Sequence, residues 1–196
     1  MDAVRYKKKG TSAESLVALK DDLNRFLAGV ERRAFKMARF ATSNTDEALD
    51  LVQDAMLGFV RHYTERPEDE WSTLFYRILQ SRITDWYRRN FVRRRFRAWL
   101  KRGNEGDEEE DPLQNVADTA TLNPVENILR REEAIALERA IKTLPLRQQQ
   151  AFLLRTWEEM DVKQTAFAMG CSEGSVKTHY SRAVHTLRIL LEDISS

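Results

Sequence analysis

Along this chain apolar residues return every three to four positions, and almost nowhere do apolar and polar residues alternate one for one. The first spacing is that of a helix face and the second that of a half-buried strand, so the pattern predicts an all-α protein. Leu23, Phe26, Leu27, Val30, Ala34, Met37 and Ala38 fall on one stripe, which places a helix or helix pair over Leu16–Ala41. The ATSNT segment interrupts that stripe, and Asn44 with Glu47 three residues on offers a capping box for a helix over Asp46–Tyr63. This second helix is expected to bury Ala48, Leu51, Val52, Ala55, Met56, Phe59 and Val60. Pro67, in the acidic TERPEDE loop, keeps it from continuing. A long third helix starting near Glu70 turns Trp71, Leu74, Phe75, Ile78, Leu79, Ile83 and Trp86 inward.

The helical period resumes at Pro124. A helix to about Thr143 has Val125, Ile128, Leu129, Ala134, Leu137 and Ile141 on its apolar side, Leu144-Pro145 makes a corner, and Arg147–Trp157 buries Ala151, Phe152, Leu154 and Trp157. Asp161–Leu191 then reads as two helices joined by a tight turn. Asp161 caps the first and Gln164 completes the box. Val162, Ala166 and Met169 form its apolar face, and Gly170 supplies the left-handed residue that ends it. Ser172 caps the second helix, whose Val176, Tyr180, Ala183, Leu187 and Leu190 or Leu191 face inward. Its outer face carries Ser175, Lys177, Thr178, Ser181, Arg182 and His185, with no acid between Glu173 and Glu192. Such a face suits a recognition helix entering a DNA major groove. The plain alternative is a packed helix pair with a solvated polar side.

Charge sharpens the picture. The net charge of +1 conceals strong segregation: from Trp71 to Arg102 there are ten bases against one acid, Asp85. Concentrating Arg this way points to a polyanionic partner. Tyr76, Trp86, Tyr87, Phe91 and Phe96 are interleaved where they could stack on unpaired bases, although Phe75 and Trp86 serve equally well as core. Gly103–Asp111 then holds six acids and no base. With the Pro and Asn residues that follow, 103–123 reads as a flexible acidic linker, either a solvated spacer or a nucleic-acid mimic for a basic channel. It divides the chain into two small helical domains, 16–102 and a four-helix helix-turn-helix domain over 124–194. About twenty residues reach about 70 Å, so the two domains could occupy separate sites on one duplex. On the outer face of the second helix Asp50, Gln53 and Asp54 sit together, because positions three and four apart are neighbours.

Enzyme chemistry is not legible. His62, His179 and His185 are scattered over both domains, no Gly-rich phosphate loop occurs, and Asp50 with Asp54 lacks a third ligand. The expectation is a protein without catalytic residues, metal, cofactor or small-molecule substrate. The single Cys171 leaves no internal disulfide and fits a reducing cytoplasm. MDAVRYKKKG lacks the apolar core of a signal peptide, and no run of about eighteen apolar residues is present. A cytoplasmic protein without membrane insertion is expected.

Four stretches in order carry a family resemblance: ALDLVQDAM (Ala48–Met56), ILQSRITDWYRR (Ile78–Arg89), AIKTLPLRQQQAFLLR (Ala140–Arg155) and the helix-turn-helix. Over roughly residues 20–191 the chain resembles bacterial RNA polymerase sigma factors of the extracytoplasmic-function group. The resemblance implies that Asp50, Gln53 and Asp54 dock on core RNA polymerase. It also implies that Tyr76, Arg77, Arg82, Trp86, Tyr87, Arg88 and Arg89 act on the −10 region of promoter DNA. Ser175, Lys177, Thr178, His179, Ser181 and Arg182 would contact the −35 region. Family members are often held inactive by an anti-sigma factor, a further partner class that the resemblance suggests. The chain departs from the family pattern at Leu49, where an acid is usual, at Ser81 for Asn, at His179 for a basic residue, and at Gln164-Thr165 for Glu-Ile. Two rival readings are a conventional helix-turn-helix regulator that acts without polymerase, and a protein-interaction adapter with no DNA affinity.

Overall fold

The structure, a computed structural model, describes the backbone of residues 13–100 and 124–192 and the side chains of 17–91 and 132–192. The described residues form seven helices and no strand: α1 (Ala13–Thr42), α2 (Thr45–Tyr63), α3 (Glu68–Leu100), α4 (Pro124–Thr143), α5 (Leu146–Thr156), α6 (Val162–Met169) and α7 (Glu173–Glu192). The expected linker 103–123 and the side chains of Phe96, of the Arg93–Arg102 run and of Val125, Ile128 and Leu129 lie outside what the structure describes.

The apolar stripe of α1 runs unbroken, and one helix forms where the sequence left a helix or a pair open. It stops at Ser43, a non-glycine residue in the left-handed region at φ 55. The α2 cap is only half of the expected box. Asn44 Oδ1 accepts the Glu47 backbone N–H at 3.0 Å. The reciprocal bond is missing because the Asn44 N–H already donates to the Thr42 hydroxyl at 3.2 Å. The Glu47 carboxylate instead accepts the Trp86 indole N–H at 2.7 Å, tying the start of α2 to the middle of α3.

Helices α1–α3 pack around an aromatic centre. Phe26 lies 5.3 Å from Phe59, 5.5 Å from Trp71 and 6.1 Å from Phe75, ring centre to ring centre. Phe59, Trp71 and Phe75 are almost wholly enclosed, and each such burial stabilises by roughly 1.5–3 kcal/mol. The Trp71 indole N–H is satisfied by the Arg66 carbonyl at 2.8 Å. Two expectations for this half need correcting. Val60 is 38% exposed, and with Leu57 and Leu49 it forms an apolar outer flank of α2. Tyr76, expected on an open face, is fully enclosed.

In the other half Ile141, Leu144, Ala151, Leu153, Leu154, Met160, Ala166, Met169, Val176, Ala183 and Leu187 make the core. Ala134, expected inside, is exposed, and Phe152 and Trp157 are only partly covered. Two buried glutamines of α5 are paired through their amide nitrogens. Gln149 Nε2 donates to the Ile141 carbonyl at 3.1 Å and Gln150 Nε2 to the Thr84 hydroxyl at 3.2 Å. That last bond spans the two halves, which meet where α6 and the α5–α6 turn pack against α3 and α1.

Candidate nucleic-acid and polymerase interfaces

The helix-turn-helix is held by local chemistry. Asp161 Oδ1 accepts the Gln164 N–H at 2.7 Å and Gln164 Oε1 accepts the Asp161 N–H at 2.9 Å, a complete capping box. Thr165, fully enclosed, donates its hydroxyl proton to the Asp161 carbonyl at 2.7 Å. That bond removes the cost of an unpaired buried hydroxyl, so a threonine can stand where the family usually has isoleucine. Gly170 ends α6 at φ 63, with its N–H turned back to the Ala166 and Phe167 carbonyls. Arg147 Nη1 donates to the adjacent Met169 carbonyl at 2.9 Å.

This frame fixes α7, whose Val176, Ala183 and Leu187 are buried. Tyr180 stacks on Phe152 at 6.3 Å and lies under the Arg155 guanidinium at 5.8 Å. Lys177, Thr178, Ser181 and Arg182 consequently stand exposed on the outer side. Ser175 is half-buried, its hydroxyl 2.9 Å from that of Ser172, and the Thr178 hydroxyl donates to the Gly174 carbonyl at 3.0 Å. His179 is half-buried, and burial first, then Arg147 and Arg182, hold its pKa below the usual imidazole value. Six residues picked out for one role thus share one helix, with Ser175 and His179 set deepest. Cys171, at the turn, is half-buried, and its thiol is pushed up by burial against the opposing pull of Arg147 and Arg77. It stays a neutral, weakly reactive thiol.

On α2, Asp50, Gln53 and Asp54 are all exposed, as the spacing required. Gln53 borders a groove of about 320 Å³ between α1 and α2, lined by Ala28, Phe35, Leu49, Val52 and Met56 and edged by Glu31 and Arg32. The groove's apolar floor went unanticipated; the unusual Leu49, 43% exposed, was its sequence signal.

Along α3 the seven selected residues divide. Arg82, Tyr87, Arg88 and Arg89 are exposed, with Arg88 loosely paired to Asp85 at 4.0 Å. Trp86 is half-buried and held by Glu47. Arg77 reaches across to α6: its Nη1 donates to the Phe167 carbonyl at 2.9 Å, and its guanidinium lies 5.7 Å from the Phe167 ring centre. Tyr76 is sealed beside the ion pair of Arg33 Nε and Glu158 Oε1, which are 2.8 Å apart. Burial, and then the Glu158 carboxylate, raise its phenol far above the usual range, so it stays protonated. In this arrangement it cannot stack on a base, because no face of its ring is open. Arg33, Glu158 and Gln150 were not singled out in the sequence, since pairs so far apart in the chain leave no local pattern.

Among the described residues no group of three or more His, Cys, Asp or Glu is placed to hold a metal ion, and no helix is long and apolar enough to cross a membrane. The surfaces present are a solvated acidic cluster near an apolar groove, a basic-aromatic helix and the basic outer face of α7.

Two family models match the chain in the order these surfaces occur: Sigma-70 region 2 over residues 25–93 and Sigma-70 region 4 over residues 134–187. The chain is 33% identical over 147 residues to an RNA polymerase sigma-E factor of Streptomyces antibioticus, covering 74% of this chain and 71% of the relative. It is 30% identical over 158 residues to the RNA polymerase sigma-E factor of Streptomyces avermitilis, covering 80% and 78%. With the ECF RNA polymerase sigma factor SigM of Mycobacterium tuberculosis it shares 27% over 161 residues, 82% of this chain and 72% of that one. In fold it is similar to the sigma factor RpoE of Bartonella quintana, solved in complex with the anti-sigma factor NepR, at TM-score 0.58 and 24% identity over 89% and 97% of the two chains. The chain therefore belongs to the sigma-70 family of RNA polymerase sigma factors, in its extracytoplasmic-function group, and it acts in transcription initiation.

Proposed function

We propose that three separate surfaces of this sigma factor divide the work of initiation. Asp50, Gln53 and Asp54, near the α1–α2 groove, dock core RNA polymerase. The exposed part of α3, with Arg82, Trp86, Tyr87, Arg88 and Arg89, grips and stacks on the separated strands of the −10 region. The outer face of α7, with Ser175, Lys177, Thr178, His179, Ser181 and Arg182, reads the −35 duplex. The functional units are residues 16–102 and 124–194, joined by the acidic segment 103–123. The observation that carries this reading is that the acidic cluster and the basic helix face lie on different helices, both exposed, so two partners can be held at once.

The protein works by binding rather than catalysis, in the cytoplasm with the polymerase and promoters it serves. Two proteins of similar fold were solved with partners bound, RpoE with the anti-sigma factor NepR and CnrH with the cytosolic domain of CnrY. An anti-sigma factor is accordingly proposed as a further partner of this chain.

The test is run-off transcription from fragmented host DNA by core polymerase with and without the protein. New discrete transcripts are expected. Arg182→Ala should weaken duplex binding and spare polymerase docking, and Asp54→Lys should do the reverse. Equal effects of both changes in both assays would reject the division.

A further inference from the structure

The two halves of the molecule meet through contacts that the proposed roles do not use. Glu158, in the turn between α5 and α6, has a side chain only 3% exposed, and Arg33 of α1 holds its carboxylate at 2.8 Å. Tyr76 is enclosed beside that pair. The next residue, Glu159, takes φ 52, a left-handed conformation that a non-glycine residue adopts at a cost. On α3, Arg77, the residue after Tyr76, is occupied by the Phe167 carbonyl and ring. Further along, the Thr84 hydroxyl accepts from Gln150. Lys36 of α1 reaches Glu138 of α4 at 3.5 Å.

These groups share one chemistry. Arg77 lies on the basic helix α3 and Arg33 on the adjoining α1, and in this arrangement their partners are a main-chain carbonyl and a carboxylate, both electron-rich or anionic like a phosphate. We propose that the α5–α6 turn and α6 form an autoinhibitory clasp, in which Glu158 and the C-terminal carbonyl of α6 occupy Arg33 and Arg77 and keep Tyr76 shut away from DNA. This rests on reading α3 as the DNA-facing helix. The clasp is built to release. Its ion pairs have one exposed partner each, so they contribute little. Its one enclosed carboxylate regains water on opening, which offsets the lost pairing. Nucleic acid and clasp therefore compete for the same arginines, and binding to one excludes the other.

The experiment compares the full chain with Arg33→Glu, Glu158→Arg, Glu158→Gln and the Arg33→Glu/Glu158→Arg exchange. Small-angle scattering reads the dimensions, far-UV circular dichroism reads the fold, and anisotropy of a fluorescein-labelled oligothymidylate at fixed salt reads single-strand binding. Each single variant should enlarge the radius of gyration with helicity kept. Glu158→Gln should tighten oligothymidylate binding by about three- to tenfold, the gain expected when a minor open state becomes the major one. The exchange has the net charge of the parent and should return the dimensions to the parental value. Glu158→Gln adds no bulk and serves where a charge reversal prevents folding. Unchanged dimensions in folded Glu158→Gln overturn the clasp. Enlarged dimensions with unchanged affinity overturn its inhibitory role. If neither parent nor variants bind the oligothymidylate at all, it is the DNA reading of α3 that fails, and the inhibition proposed here falls with it.

Discussion

Arg77 Nη1 donates a 2.9 Å hydrogen bond to the carbonyl oxygen of Phe167, ninety residues away in sequence, and the same guanidinium packs against the place where a Cβ on Gly170 would stand. Gly170 is thus required twice, once for its left-handed backbone at φ 63 and once for the space its missing side chain leaves to Arg77. Gly170→Ala should destabilise the protein by about 1–2 kcal/mol from backbone strain alone. It should also displace the arginine. In a double-mutant cycle, Arg77→Ala should then cost less in the Gly170→Ala background than in the parent, by roughly 0.5 kcal/mol or more. Urea unfolding measures both quantities, and strict additivity would show that the two residues do not communicate.

The capping box at the start of α6 makes a simpler prediction. Asp161 supplies a side-chain acceptor to the Gln164 N–H, and its loss leaves an orphan donor at the helix start. Asp161→Ala should lower stability by about 1 kcal/mol. Gln164→Ala, which removes only the return bond to the Asp161 N–H, should cost less. Thermal melts of the two variants side by side give the order, and a larger loss for Gln164→Ala would contradict it.

At the centre of the α1–α3 half, Phe59 touches Phe26, Trp71 and Phe75 with no exposed surface. Phe59→Ala removes one ring from a four-ring cluster whose other members sit on two other helices and cannot all close the gap. The expected loss is about 3–5 kcal/mol, read from chemical denaturation. Val60→Ala, one residue on, alters a side chain 38% exposed and should stay within about 0.5 kcal/mol.

His179 predicts a pH dependence. Burial, Arg147 and Arg182 lower its pKa in the free protein, so the folded state resists protonation. The stabilising contribution is therefore complete above the ordinary imidazole value of about 6.5 and is lost as pH falls below it. Phosphates beside α7 act in the opposite direction by favouring the imidazolium, so binding takes up a proton. Duplex affinity should rise about two- to fivefold between about pH 7.5 and 5.5, and His179→Gln should flatten that slope. An unchanged slope in the variant would place the proton uptake elsewhere.

The helices themselves were legible because each carries its own period: the α1 stripe, the Asp161–Gln164 box and the Gly170 stop are all local signals, and each appears as read. The exposed face of α7 was legible for the same reason, since an acid-free run on one side of an amphipathic helix needs no partner to identify it. Tyr76 was misplaced because its burial comes from the α5–α6 turn, and nothing near position 76 encodes a contact with Glu158. The Asn44–Glu47 box was half-misread for a related reason. A hydroxyl two residues upstream satisfied the Asn44 N–H, and an indole thirty-nine residues downstream claimed the freed carboxylate. Gln149 and Gln150 look solvated in sequence and are buried, because the carbonyl and hydroxyl that pair with them lie on other helices.

Helix α6 is fastened in two different ways at its two ends. Its first turn is closed by its cap residue Asp161 and by its own Gln164 and Thr165, whereas its last carbonyls are held by Arg147 from α5 and Arg77 from α3. In mechanical terms it is a lever with a fixed fulcrum at the start and a tethered tip. Any displacement of α3 is transmitted to the tip through Arg77, and from there across Gly170 to the first residues of α7. The orientation of α7 is thereby geared to the position of a helix in the opposite half of the protein.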